Sequence, residues 1–342
     1  MNILNSKKSL GILIFSMIAT NCITYYYTTK KNATDTEQTE NAATATSDGC
    51  MYDIKRMDGF DFIKPILFVD QKCEASNLNS LKQQVGEVVE NYKKVGALNS
   101  ASVYIKEYNT NGWTGINTDE KFMPGSLMKV PELITILKME ELHPGFLNKE
   151  LLHNKNYVAD KHPNYESKSI VLGQRYTVRE LLKYMIAYSD NNATALLFEN
   201  MDTNLFKKVF TDLGLPSPDI KSSNYPISAK EYSYFMRALY NGSYLSNKNS
   251  ELATEILGQC NFNQGIVSSL PKNTKVSHKF GESGNLSEQQ LSESAIVYLD
   301  NNPYVITVMT RGKDFKQLPA VLKEISAVTY QYFSQNTSSD GI

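Results

Sequence analysis

The sequence predicts an α/β (α+β) protein in which one antiparallel five-stranded sheet, formed by both ends of the domain, lies beside an all-helical subdomain. Two predicted strands open the folded region, three close it, and helical patterns fill the middle. One sheet that joins both chain ends, flanked by the terminal helices, buries all of these apolar faces at once. With 342 residues and 41% hydrophobic content, the chain can bury a sizeable core.

The opening elements are a helix and a hairpin. Apolar residues recur with helical spacing over residues 78–98. A strand is predicted over residues 102–108, and Asn111-Gly112 supplies a turn before a return strand over residues 113–116.

Thr177 is predicted to begin a central helix, because Thr177 and Glu180 form a capping-box pattern ahead of an apolar run. Further helices are predicted over residues 127–142, 203–213, 228–241 and 250–258. The closing strands are predicted over residues 276–280, 294–299 and 304–310, and an amphipathic helix from Leu318 to Tyr332 follows them.

Residues 1–31 are predicted to be a targeting segment. Lys7 and Lys8 precede a mostly apolar run over residues 10–27 that is about long enough to cross a bilayer once. We favour an uncleaved signal anchor; a cleaved signal peptide lacks an A-x-A pattern here, and a lipoprotein site at Cys22 has a poor flanking sequence. The expected location is extracytoplasmic, either anchored in the cell membrane or exported after cleavage.

The remaining domain boundaries follow from composition. Residues 32–49 lack large apolar side chains and are predicted to be a disordered linker, residues 50–335 form the folded domain, and residues 336–342 form a disordered tail.

The net charge of −1 and the scattered basic residues exclude a global attraction to nucleic acid, so no nucleic-acid partner is expected. The oligomeric state is left open.

Cysteine and histidine spacing indicates no metal site. None of the cysteines (Cys22, Cys50, Cys73 and Cys260) forms a C-x-x-C pair. Outside the cytoplasm Cys50 and Cys73 can form a disulfide, and three unlinked thiols are the alternative. The histidines also show no ligand spacing and are expected to be surface or structural residues: His143, His153, His162 and His278.

The first motif with chemical potential is Ser126, followed three residues later by Lys129 at the start of a predicted helix. Positions i and i+3 share a helical face. A serine hydroxyl needs a base to become a good nucleophile, and a lysine whose pKa is lowered by burial or by a neighbouring positive charge can be that base. The alternative is an ordinary helix start with an exposed lysine, since S-x-x-K is common by chance.

The second motif is Ser189-Asp190-Asn191, at the end of the helix that Thr177 begins. The Ser189 hydroxyl can relay a proton, Asn191 can hold a substrate amide, and Asp190 can brace the turn. A polar helix terminus explains the same residue types.

The third motif is Lys279 and Gly281 on a predicted edge strand. The lysine adds positive charge that attracts an anionic substrate, and the glycine lets a ligand lie close to the strand. A solvated edge-strand lysine is the alternative.

In this order the motifs resemble the S-x-x-K, S-D-N and K-[ST]-G signature of class A β-lactamases and the related penicillin-binding proteins. The resemblance extends over about residues 80–335, including residues 122–130 and the run YTVRELLKYMIAYSDNNATALL. It implies a class A β-lactamase-like fold and an acyl-enzyme mechanism on β-lactams or D-alanyl-D-alanine peptides, with no cofactor and no metal.

The resemblance also assigns roles. It makes Ser126 the nucleophile, Lys129 its proton partner and Ser189 a proton-transfer residue. It assigns substrate binding to Asn191, Lys279, Gly281 and Ser283, and a structural role in the motif to Asp190. The oxyanion hole would use the backbone N–H of Ser126 and one after Gly281, at Ser283.

Departures from the family pattern are also informative. Phe280 replaces the hydroxyl residue of the third motif, which puts recognition of a substrate carboxylate in doubt. Residues 214–228, where class A enzymes carry a deacylating Glu, contain no Glu, and Asp219 is their one carboxylate. Glu282 is a second candidate base, and Arg311 is a candidate anion-binding residue, although a solvated strand-end arginine is the simpler interpretation.

Three functions therefore compete. The first is a serine hydrolase that acts on β-lactams through Ser126, the second a D,D-carboxypeptidase or transpeptidase acting on peptidoglycan peptides. The third is a non-catalytic wall-binding module of the same fold. The Ser126 and Lys129 pair argues against the third, and the missing Glu of residues 214–228 argues against efficient hydrolysis by the first.

Overall fold

The computed structural model describes residues 50–157, 164–165, 167–222, 224–285, 287–300 and 302–336. The described residues from 54 onward belong to one compact unit. The predicted targeting segment, the linker and the tail from residue 337 onward lie outside the described residues, as do Cys22 and His162. None of the helices in the described ranges combines the length and apolar character needed to cross a membrane.

Eight α-helices occur in the described ranges: α1 Asn79–Lys94, α2 Lys129–Leu142, α3 Val178–Ala187, α4 Asn191–Glu199, α5 Thr203–Asp212, α6 Ala229–Tyr240, α7 Asn247–Leu257 and α8 Leu318–Asn336. The strands in the same ranges are β1 Tyr52–Arg56, β2 Ile66–Gln71, β3 Ser100–Glu107, β4 Trp113–Ile116, β5 Lys121–Phe122, β6 Glu150–Leu152, β7 Arg175–Thr177, β8 Ile227–Ser228, β9 Lys275–Asn285, β10 Glu288–Tyr298 and β11 Tyr304–Gly312.

The predicted five-stranded antiparallel sheet is confirmed, with strand order β4-β3-β11-β10-β9. The C-terminal strand β11 pairs with the N-terminal strand β3, so that Val308 lies beside Val103. This pairing joins the two ends of the domain, and it leaves β9 at one edge of the sheet.

Side chains that alternate along the strands contribute to two separate hydrophobic cores, one on each face of the sheet. Ile296 and Val305 belong to a core shared with α2 and the other central helices, whereas Val297 and Ile306 belong to a core shared with α1 and α8. Because successive strand residues point to opposite faces, the sheet buries apolar side chains on both sides. The central helices therefore pack on one face and the two terminal helices on the other.

Two predicted helices differ from those observed. The helix predicted over residues 127–142 begins instead with a 3₁₀ turn, Gly125–Met128, and α2 starts at Lys129. The capping box at Thr177 is confirmed, but α3 ends at Ala187. A separate helix, α4, follows because the Asp190 side chain accepts a hydrogen bond from the Asn192 backbone N–H and caps it.

The sheet strands also differ in length from those predicted. β9 and β10 form a longer hairpin than predicted, since their pairing continues past the apolar runs as far as Asn285 and Glu288. Both Cys50 and Cys73 are disulfide-bonded, whereas Cys260 has a free, half-buried thiol.

Candidate active site

Ser126 lies in the 3₁₀ turn that leads into α2. In a 3₁₀ turn the side chains at i and i+3 eclipse. Nζ of Lys129 accordingly lies 3.0 Å from Oγ of Ser126. Gly125, with φ of 52°, allows this turn to lie against the backbone of Glu282, where any Cβ atom would clash.

Nζ of Lys129 has four oxygen neighbours. Two of them only accept hydrogen bonds: the carbonyl oxygen of Ser189 at 2.7 Å and Oδ1 of Asn191 at 2.8 Å. The other two are the hydroxyls of Ser126 and Ser189, at 3.0 and 3.1 Å. A neutral amine that donates both hydrogens to the obligate acceptors turns its lone pair toward the hydroxyls, which is the geometry of a base for Ser126.

The Ser189 hydroxyl joins the two lysines. Nζ of Lys279 lies 3.0 Å from Oγ of Ser189 and donates a second hydrogen bond to the Phe280 carbonyl, at 2.9 Å. Ser189 has φ of 53°, a left-handed conformation that few non-glycine residues adopt. This conformation directs both the carbonyl and the hydroxyl of Ser189 toward Lys129.

Asp190 holds this turn from behind. Its buried carboxylate accepts hydrogen bonds from the Ser169 hydroxyl and from the backbone N–H groups of Ile170 and Asn192. The carboxylate is therefore occupied with fixing the turn, and the neighbouring Asn191 side chain faces Lys129.

Burial determines the charge state of the site. Desolvation, together with the positive charge of Lys279, holds the pKa of Lys129 well below its usual range, while Glu132 opposes this shift. Desolvation also lowers the pKa of Lys279, to about 8. Both amines can therefore exchange protons near neutral pH, where an exposed lysine stays charged.

Edge strand β9 forms the second wall. Gly281 packs on the backbone of the Ser126 turn, and a Cβ there would lie 3.0 Å from the Ser126 nitrogen and 2.7 Å from the Leu127 nitrogen. Phe280 stacks on Phe262 at 4.4 Å between ring centroids, so this position contributes an aromatic ring and no hydroxyl. Ser283 is half-buried on β9, opposite Gln290 of β10, and its role stays a prediction.

The two candidate bases lie in different surroundings. Asp219 is exposed in a surface turn, where its carboxylate accepts a hydrogen bond from the Lys221 backbone N–H. Glu282 is half-buried, hydrogen-bonds to Asn164 and interacts electrostatically with both site lysines. The structure therefore brings Glu282, and not Asp219, close to the lysine pair.

Arg311 is held by carboxylates at the end of β11. Its guanidinium lies 3.3 Å from Glu120 and 3.1 Å from Glu288, over the ring of Phe122. These two ion pairs neutralise the positive charge that Arg311 would need to bind an anionic ligand.

None of the described histidines hydrogen-bonds to Ser126, Lys129, Ser189 or Lys279. His143 is exposed, His153 is buried, and His278 pairs with Glu293 within the β9–β10 hairpin. Within the described ranges, no cluster of His, Cys, Asp or Glu side chains is arranged to hold a metal ion.

One site residue was not found from the sequence. Glu132, three residues beyond Lys129 on α2, has one fully buried carboxylate oxygen and interacts electrostatically with Lys129. Its i+3 spacing was a usable signal, but an acidic residue in the first turn of a helix is common for reasons of helix polarity.

Comparison with known proteins identifies the family. A family model described as the beta-lactamase enzyme family matches residues 80–333. A search of curated proteins finds no match.

Solved structures share the fold. The structure of PBP-A has a TM-score of 0.64 and 20% identity and covers 75% of this chain and 97% of its own. A β-lactamase from Chitinophaga pinensis DSM 2588 gives a TM-score of 0.65 at 19% identity, covering 74% of this chain and 99% of that one. A β-lactamase from Sphaerobacter thermophilus DSM 20745 gives 0.62 at 16% identity, covering 73% and 96%.

These identities establish a shared fold and no more, whereas the family match extends over well over half of the chain. The chain belongs to the beta-lactamase enzyme family.

Proposed function

We propose that this protein is a serine acyl hydrolase that reacts with β-lactams through an acyl-enzyme on Ser126. The observation that supports this most directly is the position of Lys129, whose Nζ lies 3.0 Å from the Ser126 hydroxyl and whose pKa is lowered by burial and by Lys279. A non-catalytic binding module would have no need for a buried amine of lowered pKa beside a serine.

In the acylation step Oγ of Ser126 attacks the lactam carbonyl carbon while its proton passes to Nζ of Lys129. The lactam C–N bond then breaks, and the leaving nitrogen takes a proton from the Ser189 hydroxyl. Lys129 returns its proton to Ser189, which lies 3.1 Å away. The product is an ester on Ser126 with Lys129 again neutral.

A related structure supports β-lactams as the acyl donor. A mutant of PBP-A is described as an acyl-enzyme complex with penicillin G, at a TM-score of 0.63 and 21% identity to this chain. A β-lactam is also a strained amide, so that it acylates any activated serine that it can reach.

A second candidate function is a D,D-carboxypeptidase or transpeptidase acting on peptidoglycan peptides. It is favoured by the exposed position of Asp219, which leaves residues 214–228, apart from the undescribed Ser223, without a carboxylate facing the lysine pair. Slow release of the acyl group is the expected result. An extracytoplasmic, membrane-anchored location, which the apolar run at residues 10–27 suggests, would suit this function.

The test is to incubate the full chain with a chromogenic cephalosporin and to record colour and intact mass together. Rapid turnover supports the β-lactamase, a stable adduct that Ser126→Ala abolishes supports the peptidase-like enzyme, and no adduct at any time supports the binding module. Ser217→Ala, at an exposed position, is the matched control. Lys129→Ala should slow acylation by about 10²–10⁴-fold; acylation at the wild-type rate would exclude Lys129 as the base.

A further inference from the structure

Glu132 is a half-buried acidic residue of α2 with one fully buried carboxylate oxygen. It lies on α2, three residues after Lys129, so the two side chains share one helical face. Its Oε2 atom is buried and has no hydrogen-bond partner among the described residues. A buried polar atom without a partner destabilises the fold, and more so when it is charged, so its presence requires an explanation.

Helix polarity does not explain the burial. An acidic side chain in the first turn of a helix stabilises the helix, but an exposed carboxylate does this equally well. Burying a carboxylate is unfavourable unless it has an opposite charge nearby or takes up a proton. The charge that acts on Glu132 is that of Lys129.

The two groups change each other's charge state. Burial raises the pKa of Glu132, and the Lys129 ammonium opposes this rise. Burial and Lys279 lower the pKa of Lys129, and Glu132 is foremost among the carboxylates that oppose this lowering, ahead of Asp190 and Glu282. Asp190 is occupied by its hydrogen bonds to the turn, and Glu282 is bonded to Asn164.

We infer that Glu132 is a positioning residue that balances Lys129 between its amine and ammonium forms. This rests on the proposed function, in which Lys129 must both take the Ser126 proton and release it. Without the carboxylate, Lys129 stays neutral over a wider pH range but is a weaker base. Over a complete acylation the proton moves from Ser126 through Lys129 and Ser189 to the leaving nitrogen, and Glu132 gains and loses none.

The test measures Lys129 directly, without any substrate. The full chain is labelled with [ε-¹³C]lysine, and the Lys129 resonance is assigned by its loss in Lys129→Arg. In Glu132→Gln the midpoint of the Lys129 titration should fall by about one pH unit, because the variant removes the carboxylate that opposes the lowering of the Lys129 pKa. Glu132→Asp, which keeps the charge, should lie between Glu132→Gln and the wild type, and it preserves the test if Glu132→Gln does not fold.

The matched control is Glu251→Gln, at an exposed position of α7, which should leave the midpoint unchanged. An unchanged midpoint in both Glu132 variants would overturn the inference, even if their melting temperatures fell. A shifted midpoint in a chain that never acylates would remove the proposed function but retain the inference. Acylation by the wild type together with an unshifted midpoint in both Glu132 variants would retain the proposed function but remove the inference.

Discussion

Nζ of Lys279 lies 3.0 Å from Oγ of Ser189, although 90 residues separate them along the chain. Nζ of Lys129 lies 3.1 Å from the same oxygen. Once Lys129 has accepted a proton, both amines can donate to Ser189 and occupy both lone pairs of its oxygen. The hydroxyl hydrogen is then left to be donated elsewhere, which suits proton delivery to a leaving nitrogen.

Ser189→Ala should therefore slow acylation of Ser126 by about 10²–10⁴-fold, since the leaving nitrogen loses its proton donor. Stopped-flow measurement with a chromogenic cephalosporin gives the rate, and thermal melting shows whether the fold is retained. Ser217→Ala serves as the surface control. A Ser189→Ala rate within twofold of wild type would exclude Ser189 from proton transfer.

Acylation should depend on pH in a bell-shaped manner. It should rise with pH as Lys129 becomes an amine, in a range far below the usual lysine pKa of about 10.4, because burial and Lys279 lower the pKa of Lys129. It should fall above about pH 8, where Lys279 loses the proton with which it holds Ser189. The second-order acylation constant between pH 5 and 10, corrected for spontaneous hydrolysis, tests this, and a rate still rising at the upper limit would contradict it.

Gly281→Ala should impair catalysis more than stability. The added Cβ would clash with the Pro124 carbonyl oxygen and press on the backbone nitrogen of Ser126. β9 would then have to move away from the nucleophile. We expect acylation to fall by at least about tenfold, while overpacking costs about 1–3 kcal/mol of unfolding free energy. Gly86→Ala is a suitable control, because Gly86 has no positive φ and its Cβ would meet only Cδ1 of Ile116, at an ordinary contact distance of 3.7 Å; equal rates in the two variants would show that the close approach is unimportant.

The motif residues could be identified from the sequence because their chemistry depends on residue type and local spacing. Ser126 and Lys129 needed only a helical turn to meet. The contact of Ser189 with Lys279 depends on long-range packing, so only the family resemblance suggested it. Helix α4 was missed because Asp190 reads equally well as the end of one helix or the cap of the next.

The β9–β10 hairpin shows a second limit. His278, Lys279 and Glu293 are fully or nearly buried there, although charged residues normally indicate the surface. Their burial is made possible by partners on the neighbouring strand or helix, which a single sequence does not reveal. The strands consequently continue well beyond the apolar runs that predicted them.

The two candidate carboxylates should differ in their effect on deacylation. Glu282 lies beside Lys279 and has a pKa raised by burial, whereas Asp219 is exposed and bonded to its own turn. We expect Glu282→Gln to lengthen the life of the Ser126 adduct by about tenfold or more, and Asp219→Asn to leave it within twofold of wild type. Intact mass recorded over time after removal of free β-lactam distinguishes them; a longer adduct life in Asp219→Asn would assign the water-activating role to residues 214–228 after all.

His278 and Glu293 should make the stability of the fold depend on pH. Nδ1 of His278 lies 2.7 Å from Oε1 of Glu293, and its Nε2 lies 3.2 Å from the carbonyl oxygen of Cys260. Both neighbours accept hydrogen bonds, so the doubly protonated ring fits best. Burial alone would lower the pKa of His278, but Cys260 and Glu293 together raise it to about 9.

Because the folded pKa exceeds the ordinary histidine value of about 6.5, the stabilisation is fully present below that pH and is lost as pH rises through about 9. The reference is the double variant His278→Gln/Glu293→Gln, since removing His278 alone would leave a buried charge unpaired. The difference in unfolding free energy between wild type and reference, from urea titrations at pH 6 to 10, should shrink across this range. A constant difference would mean that His278 is neutral in the folded state.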